Sequence, residues 1–382
     1  MSQINVRNLS NENDDGSPEI VGVSTFSATS FFVPPKGSTA ERPSDCEPGS
    51  IRFNTDTANL EYFRGKTLGW SQFDLVTPNL GGGTGSNTGL GIRGLFAGGF
   101  ISPTGTARTN IIDFITISTL GNAQDFGDRT HTSDTCAGAA SKTRGVIAGG
   151  YAGSETNVIE FVTISSLGDA LDFGDLPSNR RNRDGCGDTV RGLFGGGYPQ
   201  SAQIDYITFE SLGNAIDFGD LTQTRYNSGA LSSSTRAVFA GGNASPTSPV
   251  SDVIDFVTIR TTGNATDFGD LIGTMGTGGF SGTSNSTRGL IGIADSNSIE
   301  FITIATTGNA QDFGDATYNL GSHAAAGSPT RAVFAGGGAS PAPLTNSMDF
   351  VEILTTGNGL DFGDLTDGRQ SLAGFSNGHG GL

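Results

Sequence analysis

Short runs of apolar residues, interrupted by single polar residues, recur along the last three quarters of the chain. Six runs begin with an arginine and most end in paired glycines, as in Arg-Gly-Leu-Phe-Ala-Gly-Gly at 93–99. A second apolar run with one acidic residue inside it follows, as at 112–117, and then an Asp-Phe-Gly-Asp tetrad. Because these runs are short, rich in β-branched and aromatic residues and bounded by Gly, Asn, Ser and Thr, each predicts a strand.

The recurring charged positions define a sixfold internal repeat. The opening arginines are Arg93, Arg144, Arg191, Arg236, Arg288 and Arg331. The acidic residues inside the apolar runs are Asp113, Glu160, Asp205, Asp255, Glu300 and Asp349. The aspartates that close the tetrads are Asp128, Asp175, Asp220, Asp270, Asp315 and Asp364. We interpret the opening arginines and the tetrad aspartates as structural positions of the repeat.

The spacing of these positions separates scaffold from loops. The acidic residue and the tetrad end are 15 residues apart in every copy, as in 128 − 113 = 15. The interval from the opening arginine to the acidic residue varies from 300 − 288 = 12 to 113 − 93 = 20 residues. Insertions are tolerated where the backbone is solvated. Surface loops are therefore predicted at 100–110, 151–157, 198–203, 243–251, 295–298 and 338–347.

Each copy predicts four strands. A stretch of small residues before the arginine, such as 228–232, supplies one of them, and Gly-Asn pairs such as 121–122 suit tight hairpin turns. Neighbouring arginines lie between 331 − 288 = 43 and 288 − 236 = 52 residues apart, the size of a β-propeller blade. Paired glycines before a variable loop are similar to the kelch repeat, with the tetrad Phe in place of the kelch Trp. We predict an all-β fold with a six-bladed kelch-like β-propeller; the alternative, a β-solenoid or intertwined fibre, uses coils of only ~20–30 residues.

The phase of the repeat predicts the domain organisation. Residues 93–382 are assigned to the propeller, and its missing first strand is predicted at 371–377, where it closes the ring. A Gly-rich linker precedes it at 79–92. Residues 46–78 predict a small β-meander that carries the single Trp, and 1–45 predict an extended N-terminal attachment segment. A lone meander is marginal in water, so we expect it to pack against a neighbour or another chain.

Composition and charge narrow the function classes. Glycine makes up 60 of the 382 residues, but no collagen-like triplet repeats. With 38 acidic and 21 basic residues, the formal net charge is −17, so the chain lacks the cationic surface that nucleic acids require, and anionic membranes are disfavoured for the same reason. No stretch is apolar for long enough to predict membrane insertion. No signal peptide is visible, and three cysteines predict no disulfide framework.

Candidate catalytic and metal-binding groups are few. Gly-Phe-Ser-Asn-Gly at 374–378, followed by His379, matches a nucleophile-elbow pattern, but no helix is predicted after it. The three histidines stand at unrelated positions of the repeat. We therefore predict no enzyme activity, no metal and no cofactor. Tetrad carboxylates such as Asp125 and Asp128 are expected to accept turn amides or to pair with the opening arginines, and calcium bound by turn carboxylates is the alternative.

Binding is better supported than catalysis. In a propeller, the variable loops share one face with the connections between blades. These loops carry Tyr, Asn, Ser, Thr and Pro, which can stack on and hydrogen-bond sugars or proteins. The candidate binding residues are Tyr151, Tyr198 and Asn243 in the loops and Arg180, Arg181 and Arg183 in the connection at 177–184. The alternative is that these segments are solvated caps without a ligand.

The segment 50–73, with Arg-Phe-Asn-Thr-Asp, Leu-Glu-Tyr and Trp, resembles a module of tail-fibre and other virion proteins of tailed bacteriophages. The opening Ser-Gln-Ile-Asn-Val and the repeats are similar to such proteins in cyanobacterial phages. The resemblance implies a virion protein, assembled in the host cytoplasm, that attaches to other virion proteins through its N-terminal region as a homotrimeric fibre or a decorating appendage. It implies a host-surface glycan or protein as ligand. Two alternatives are a purely architectural tail or capsid-decorating protein and a propeller enzyme that degrades glycans.

Overall fold

The structure is a computed structural model that describes residues 34–57, 59–72, 91–101, 107–244, 250–273, 278–338 and 344–382. These residues form β-strands, turns and one short 3-10 helix, Thr39–Glu41, and they contain no α-helix. The predicted all-β class is thus confirmed for the described part of the chain. Within it, no helix has the length and apolar character needed to cross a membrane. The chain divides into two units, Met1–Thr77 and Pro78–Leu382.

The first unit contains one sheet of four strands in sequential order. Its strands are β1 (Lys36–Gly37), β2 (Ile51–Asn54), β3 (Asn59–Phe63) and β4 (Trp70–Gln72). Strands β2 to β4 lie where the meander is predicted, whereas β1, which runs parallel to β2, lies in the segment predicted to be extended. The sheet therefore begins before residue 46. A strand of two residues is too short to show an alternating pattern in the sequence.

A buried carboxylate organises this small sheet. Glu61 is fully buried and lies 2.7 Å from Arg42 and 3.4 Å from Arg52, and the Asn54 amide donates to it at 3.1 Å. Burial alone would raise the pKa of Glu61, but the hydrogen bonds from Arg42 and Asn54 hold it below its usual range. Polar pairing thus supplements a core too small to rest on apolar burial alone.

The second unit contains six four-stranded antiparallel sheets, which we number I to VI, and in each of them the strands lie side by side from a first to a fourth. In that order, sheet I contains β28 (Ala373–Ser376), β5 (Arg93–Ala97), β6 (Ile111–Thr116) and β7 (Gln124–Asp128). Sheet II contains β8 (Ala137–Ala140), β9 (Arg144–Ala148), β10 (Val158–Thr163) and β11 (Leu171–Asp175). Sheet III contains β12 (Asp184–Gly187), β13 (Arg191–Gly195), β14 (Ser201–Thr208) and β15 (Ile216–Arg225).

The remaining sheets follow the same plan. Sheet IV contains β16 (Gly229–Ser232), β17 (Arg236–Ala240), β18 (Val253–Thr258) and β19 (Thr266–Asp270). Sheet V contains β20 (Ser281–Ser284), β21 (Arg288–Gly292), β22 (Ser298–Thr303) and β23 (Gln311–Asp315). Sheet VI contains β24 (Ala324–Gly327), β25 (Arg331–Ala335), β26 (Ser347–Glu352) and β27 (Leu360–Asp364). Only sheet I draws on distant segments: β28 pairs with β5, with Ala373 opposite Ala97.

The apolar core lies between neighbouring sheets. First strands contact each other in the order β8, β12, β16, β20, β24, β28 and again β8. Six apolar clusters fill the spaces between successive sheets, including the space between sheets VI and I, where Phe96 packs with Val333 and Met348. Every tetrad Phe is buried and packs edge-on against a third-strand aromatic ring, as Phe126 does against Phe114 at 5.9 Å.

The opening arginines join each sheet to the next. The Arg93 guanidinium lies over the Phe114 ring, 4.8 Å from its centroid, and donates to the Ile164 carbonyl of sheet II at 2.7 Å. The other five repeat this contact, and Arg331 returns to the Ile117 and Ser118 carbonyls of sheet I. The expected pairing with tetrad carboxylates is wrong for the described residues, because the third strand separates the arginine from the tetrad.

Each tetrad is hydrogen-bonded to the Gly-Asn or Gly-Asp turn of the following sheet. The Asp175 backbone N–H donates to the Asn214 side-chain oxygen at 3.0 Å, and the turn N–H groups of Gly213 and Ala215 donate back to the Phe173 and Asp175 backbone carbonyls. The turn amides therefore bond the backbone of this tetrad, where its carboxylates were expected to accept them. The tetrad glycine Gly127 has φ +146°, and a Cβ there would lie 2.6 Å from the Gly168 carbonyl. Only glycine permits this close approach. Gly363 of sheet VI makes the same contact with Gly121 in the turn of sheet I.

Candidate binding face

The second strands end, and the first strands begin, at one end of the six sheets, which we call the loop face. There, the residue that follows each of four glycine pairs bridges to a residue three positions before a first strand. The bridges are Phe100 to Gln370, Tyr151 to Asp134, Tyr198 to Arg181 and Asn243 to Tyr226. These bridges thus place the residues after four glycine pairs next to the segments that lead into the first strands. Residues 102–106, 245–249 and 339–343 of the predicted loops lie outside the described residues, and residues 201–203 belong to β14.

Alternating aromatic and arginine side chains follow this arc of the loop face, and we call them the aromatic ladder. Its members are Phe100, Arg108, Tyr151, Arg181, Tyr198 and Tyr226. Arg181 lies between two rings, 4.7 Å from the Tyr151 centroid and 4.8 Å from the Tyr198 centroid. Arg108 also lies over the Tyr151 ring, 4.5 Å from its centroid. Cation–π stacking holds these side chains in fixed order.

Acidic neighbours balance the charge of the ladder. Asp134 lies 3.0 Å from Arg108, and Glu155 lies 3.6 Å from Arg181. Burial raises the pKa of the Asp134 carboxyl, although Arg108 opposes the shift. Guanidinium groups lie over the Tyr151 ring, so the polar groups of the ladder are guanidinium N–H and phenol O–H donors.

The structure brings together some of the predicted binding residues and separates others. Tyr151, Tyr198 and Arg181 belong to the ladder, and Arg180 lies beside it, donating to the Pro199 carbonyl at 2.9 Å. The other two candidate residues are enclosed. Arg183 is buried and pairs with Asp205 at 2.6 Å, which neutralises that enclosed carboxylate. Asn243 is only 3% exposed and bridges to Tyr226.

Sequence reasoning missed three members of the ladder. Phe100 and Tyr226 were hidden among the many core aromatics, although Phe100 follows a Gly-Gly pair as Tyr151 and Tyr198 do. Arg108 lies inside a variable loop, where no periodicity marks it. The position after the Gly-Gly pair was the available signal for Phe100, and the bridge partners of that position can be found only in three dimensions.

A polar cavity of about 70 Å³ opens at the centre of the loop face, and we call it the axial cavity. Five residues around it adopt left-handed backbone conformations with φ near +56°, namely Thr135, Asn182, Asn227, Ser322 and Ser371. Backbone hydrogen bonds join several of them across sheets, as from Asn182 N–H to the Thr135 carbonyl at 2.9 Å. Such uncommon conformations persist where the surrounding structure fixes them, and they cluster at ligand sites.

One carboxyl faces this cavity. The two Asp184 oxygens accept the Gly185 N–H at 2.9 Å and the Ala230 N–H at 2.8 Å. Asp184 is partly exposed, yet desolvation by the surrounding first strands, which supply no cation, raises its pKa to about 8. A carboxyl with a shifted pKa in a cavity is a candidate functional group.

The far end of the axial channel is filled by the chain itself. The imidazole of His379 contacts the Ala140 carbonyl at 2.8 Å, and a Cβ on Gly381 would lie 1.9 Å from the Gly187 carbonyl. The Ser376 hydroxyl donates to the Gly327 carbonyl. Ser376 and His379 therefore have separate partners, and the sequence match to a nucleophile elbow does not correspond to a serine–histidine pair.

Within the described residues, no three His, Cys, Asp or Glu side chains are grouped closely enough to hold a metal ion. The loop face therefore offers stacked arginine and aromatic groups and a central carboxyl as its recognisable chemistry. Neither models of protein families nor curated proteins match this chain.

Proposed function

We propose that the six sheets of the second unit are the blades of a six-bladed β-propeller. The cyclic contacts of the first strands, the apolar cluster between sheets VI and I and the returning contact of Arg331 support this arrangement. Because β28 then completes the first blade, deletion of residues 370–382 is expected to abolish cooperative unfolding. Thermal unfolding of the truncated and full chains measures this, and identical transitions would overturn it.

We further propose that the protein is a tail-fibre-like bacteriophage virion protein, attached through its N-terminal region, whose loop face binds a host-surface glycan without catalysis. The resemblance of 50–73 and of the repeats supports the virion assignment. The aromatic ladder is the observation that carries the binding assignment. Its guanidinium N–H and phenol O–H donors suit the many acceptor oxygens of a sugar chain, and stacking holds them in place before a ligand arrives.

The charge balance of the ladder favours neutral or basic sugars over acidic ones. Asp134 and Glu155 neutralise the two ladder arginines, and the chain carries a net charge of −17. A polyanionic glycan would therefore approach a negative protein with no uncompensated cation on the ladder to offset the repulsion. Neutral glycans avoid this cost.

Ladder variants test the proposal on an array of immobilised bacterial surface polysaccharides. Arg181→Ala removes the central stacking group and is expected to weaken glycan binding at least tenfold, as loss of a central contact does in other interfaces. Arg260→Ala is the matched control, because Arg260 is half exposed and pairs with Asp188 away from the ladder. Equal binding by both variants, or no glycan binding by the wild-type protein, would overturn the assignment.

A second function, a purely architectural role in the virion, is favoured by exposed leucines. Leu120, Leu167 and Leu212 precede the Gly-Asn or Gly-Asp turns of sheets I to III and are each more than half exposed. Exposed apolar side chains in a repeated position suit packing against another subunit. Imaging of the intact particle distinguishes the two roles, since the architectural role requires these turns to be covered and the loop face to point away from the host.

A further inference from the structure

The polar groups of the axial cavity define a second binding site on the loop face. We propose that the axial cavity binds the ammonium group of an amino sugar within the glycan held by the aromatic ladder. The glycan part of this proposal rests on the proposed function. The cavity itself is argued from its lining groups, which are independent of the ladder.

The carboxyl of Asp184 supplies the charge. Each of its oxygens already accepts one backbone N–H, from Gly185 or Ala230. A carboxylate has about four acceptor positions, so each oxygen keeps capacity for one further donor. Arg183, the arginine among the lining residues, is held by Asp205 at 2.6 Å. A cation that enters the cavity would therefore favour the ionised form of Asp184, for which the lining supplies no free positive partner.

Two serine hydroxyls add neutral acceptors. Ser228 and Ser281 both line the cavity and are 2% and 7% exposed. Neither hydroxyl has a hydrogen-bond partner among the described residues. Because a buried hydroxyl without a partner costs free energy, this pair is expected to be satisfied by something that enters the cavity.

An ammonium group matches this set of acceptors better than the alternatives do. It carries one positive charge and three N–H donors, which correspond to one carboxylate and two hydroxyls. A sugar hydroxyl has one donor and no charge. Calcium prefers six to eight oxygen ligands, generally with several carboxylates, and the cavity provides one. An anion would find no free cation here, because Asp205 already pairs with Arg183.

The position of the cavity links it to the ladder. Asn182 and Asn227 at its mouth directly follow the ladder residues Arg181 and Tyr226 in the chain. A glycan that crosses the ladder therefore passes over this mouth. Since His379 and Gly381 fill the other end of the channel, the cavity is closed below and fits a substituent of the sugar, not a threaded chain.

The first test uses methylammonium chloride on the full chain, with sodium chloride and tetramethylammonium chloride at the same concentration as controls. Methylammonium is expected to raise the melting temperature by about 3 °C more than either control salt. Asp184→Asn is expected to remove this difference, whereas Asp172→Asn, at an exposed outer-strand site, is expected to keep it. Equal effects of the three salts, or a selective effect retained in Asp184→Asn, would overturn the cavity assignment.

The second test compares oligomers of glucosamine and of N-acetylglucosamine of equal length. The wild-type protein is expected to bind the free amine about tenfold more tightly, as a charge-assisted hydrogen bond implies. Ser228→Ala, which removes only a hydroxyl that has no partner among the described residues, is expected to reduce this preference. Equal binding of both oligomers would overturn the amino-sugar assignment. If the wild-type protein binds neither oligomer but still shows the selective methylammonium effect, the proposed glycan binding by the ladder is overturned and the cavity assignment stands.

Discussion

Sheets I to IV and sheets V and VI bury the same carboxylate in different ways. In the first group the third-strand acid pairs with a buried arginine: Asp113 with Arg369, Glu160 with Arg129, Asp205 with Arg183 and Asp255 with Arg225. In sheet V, Glu300 accepts the Ile272 and Gly273 N–H groups. In sheet VI, Asp349 accepts from the backbone and hydroxyl of Thr317.

The difference changes the electrostatics of the buried acid. Burial opposes ionisation of Glu160, but hydrogen bonding from His131 and the charge of Arg129 lower its pKa to about 2. Burial raises the pKa values of Glu300 and Asp349, and their backbone donors offset this only in part. Backbone and hydroxyl dipoles therefore satisfy the hydrogen bonds of Glu300 and Asp349, whereas the charge of Arg129 helps to favour ionisation of Glu160.

Sheet VI shows that the place of the arginine can be taken by a neutral group. In sheet IV, Arg225 donates to the Phe239 and Val253 carbonyls as well as to Asp255. In sheet VI, the Tyr318 hydroxyl lies 3.1 Å from the equivalent Phe334 carbonyl and 3.0 Å from the equivalent Ser347 carbonyl, and its single proton is shared between them. The repeat therefore retains the need to satisfy these carbonyls, and either side chain meets it.

The largest effect is expected from removing one member of a buried pair. Arg225→Leu leaves Asp255 buried without a cation and is expected to lower the free energy of unfolding by about 3–5 kcal/mol. The double variant Arg225→Leu with Asp255→Leu is expected to recover much of this loss, because no isolated charge remains. Urea unfolding measures both, and equal losses in the single and double variants would contradict the pairing.

An intermediate effect is expected from acidification of sheet II. Because the pKa of Glu160 in the folded state, about 2, lies below its unfolded value, its contribution is present above about pH 4.5 and lost as pH falls towards 2. The gap in unfolding free energy between wild type and Glu160→Gln should therefore shrink by about 3 kcal/mol over this range. Urea unfolding at several pH values measures this gap.

Sheet V supplies the control for the acidification experiment. The raised pKa of Glu300 means that ionisation costs stability above its unfolded pKa, and that this cost is relieved as pH falls. The gap between wild type and Glu300→Gln should change in the opposite sense to that of Glu160→Gln. Parallel pH profiles for the two variants would refute the electrostatic distinction between the sheets.

The smallest effect is expected in sheet VI. Tyr318→Phe removes the one donor that two buried carbonyls share and should lower the unfolding free energy by about 2 kcal/mol. Tyr226→Phe, on the ladder, is the matched control and should change stability by less than about 0.5 kcal/mol. Thermal and urea unfolding measure both, and an unchanged Tyr318→Phe protein would show that the hydroxyl does not replace the arginine.

The sequence predicted the strands better than it predicted which side chains pair with the buried acidic residues. Constant spacing marked the acidic positions, and the repeat phase placed a strand at 371–377, where β28 lies. The arginines that pair with the acids follow the tetrad ends by different distances, 129 − 128 = 1 and 225 − 220 = 5. Guanidinium groups reach the same carboxylate from irregular positions, so no periodicity reveals them. The periodic arginines instead contact carbonyls, which carry no signature in a sequence.

The same irregularity hid the axial cavity. Asp184 is the only acidic residue among the first strands, and its equivalents are small residues such as Ala137 and Ser281. In the sequence, Asp184 is a single exception in the repeat and resembles tolerated variation. Its position beside the other first strands is visible only in the structure. The ladder was partly predictable, because tyrosines after Gly-Gly pairs stand out from the core phenylalanines.

The pairing of β28 with β5 has a consequence for protein synthesis. The paired residues Ala97 and Ala373 are 373 − 97 = 276 positions apart. At roughly 5–20 residues per second, the ribosome adds the partner of β5 about 15–55 s after β5 itself. During translation β5 therefore presents an open edge to other nascent chains, so polysomes that make this protein are expected to depend on chaperones that shield such edges.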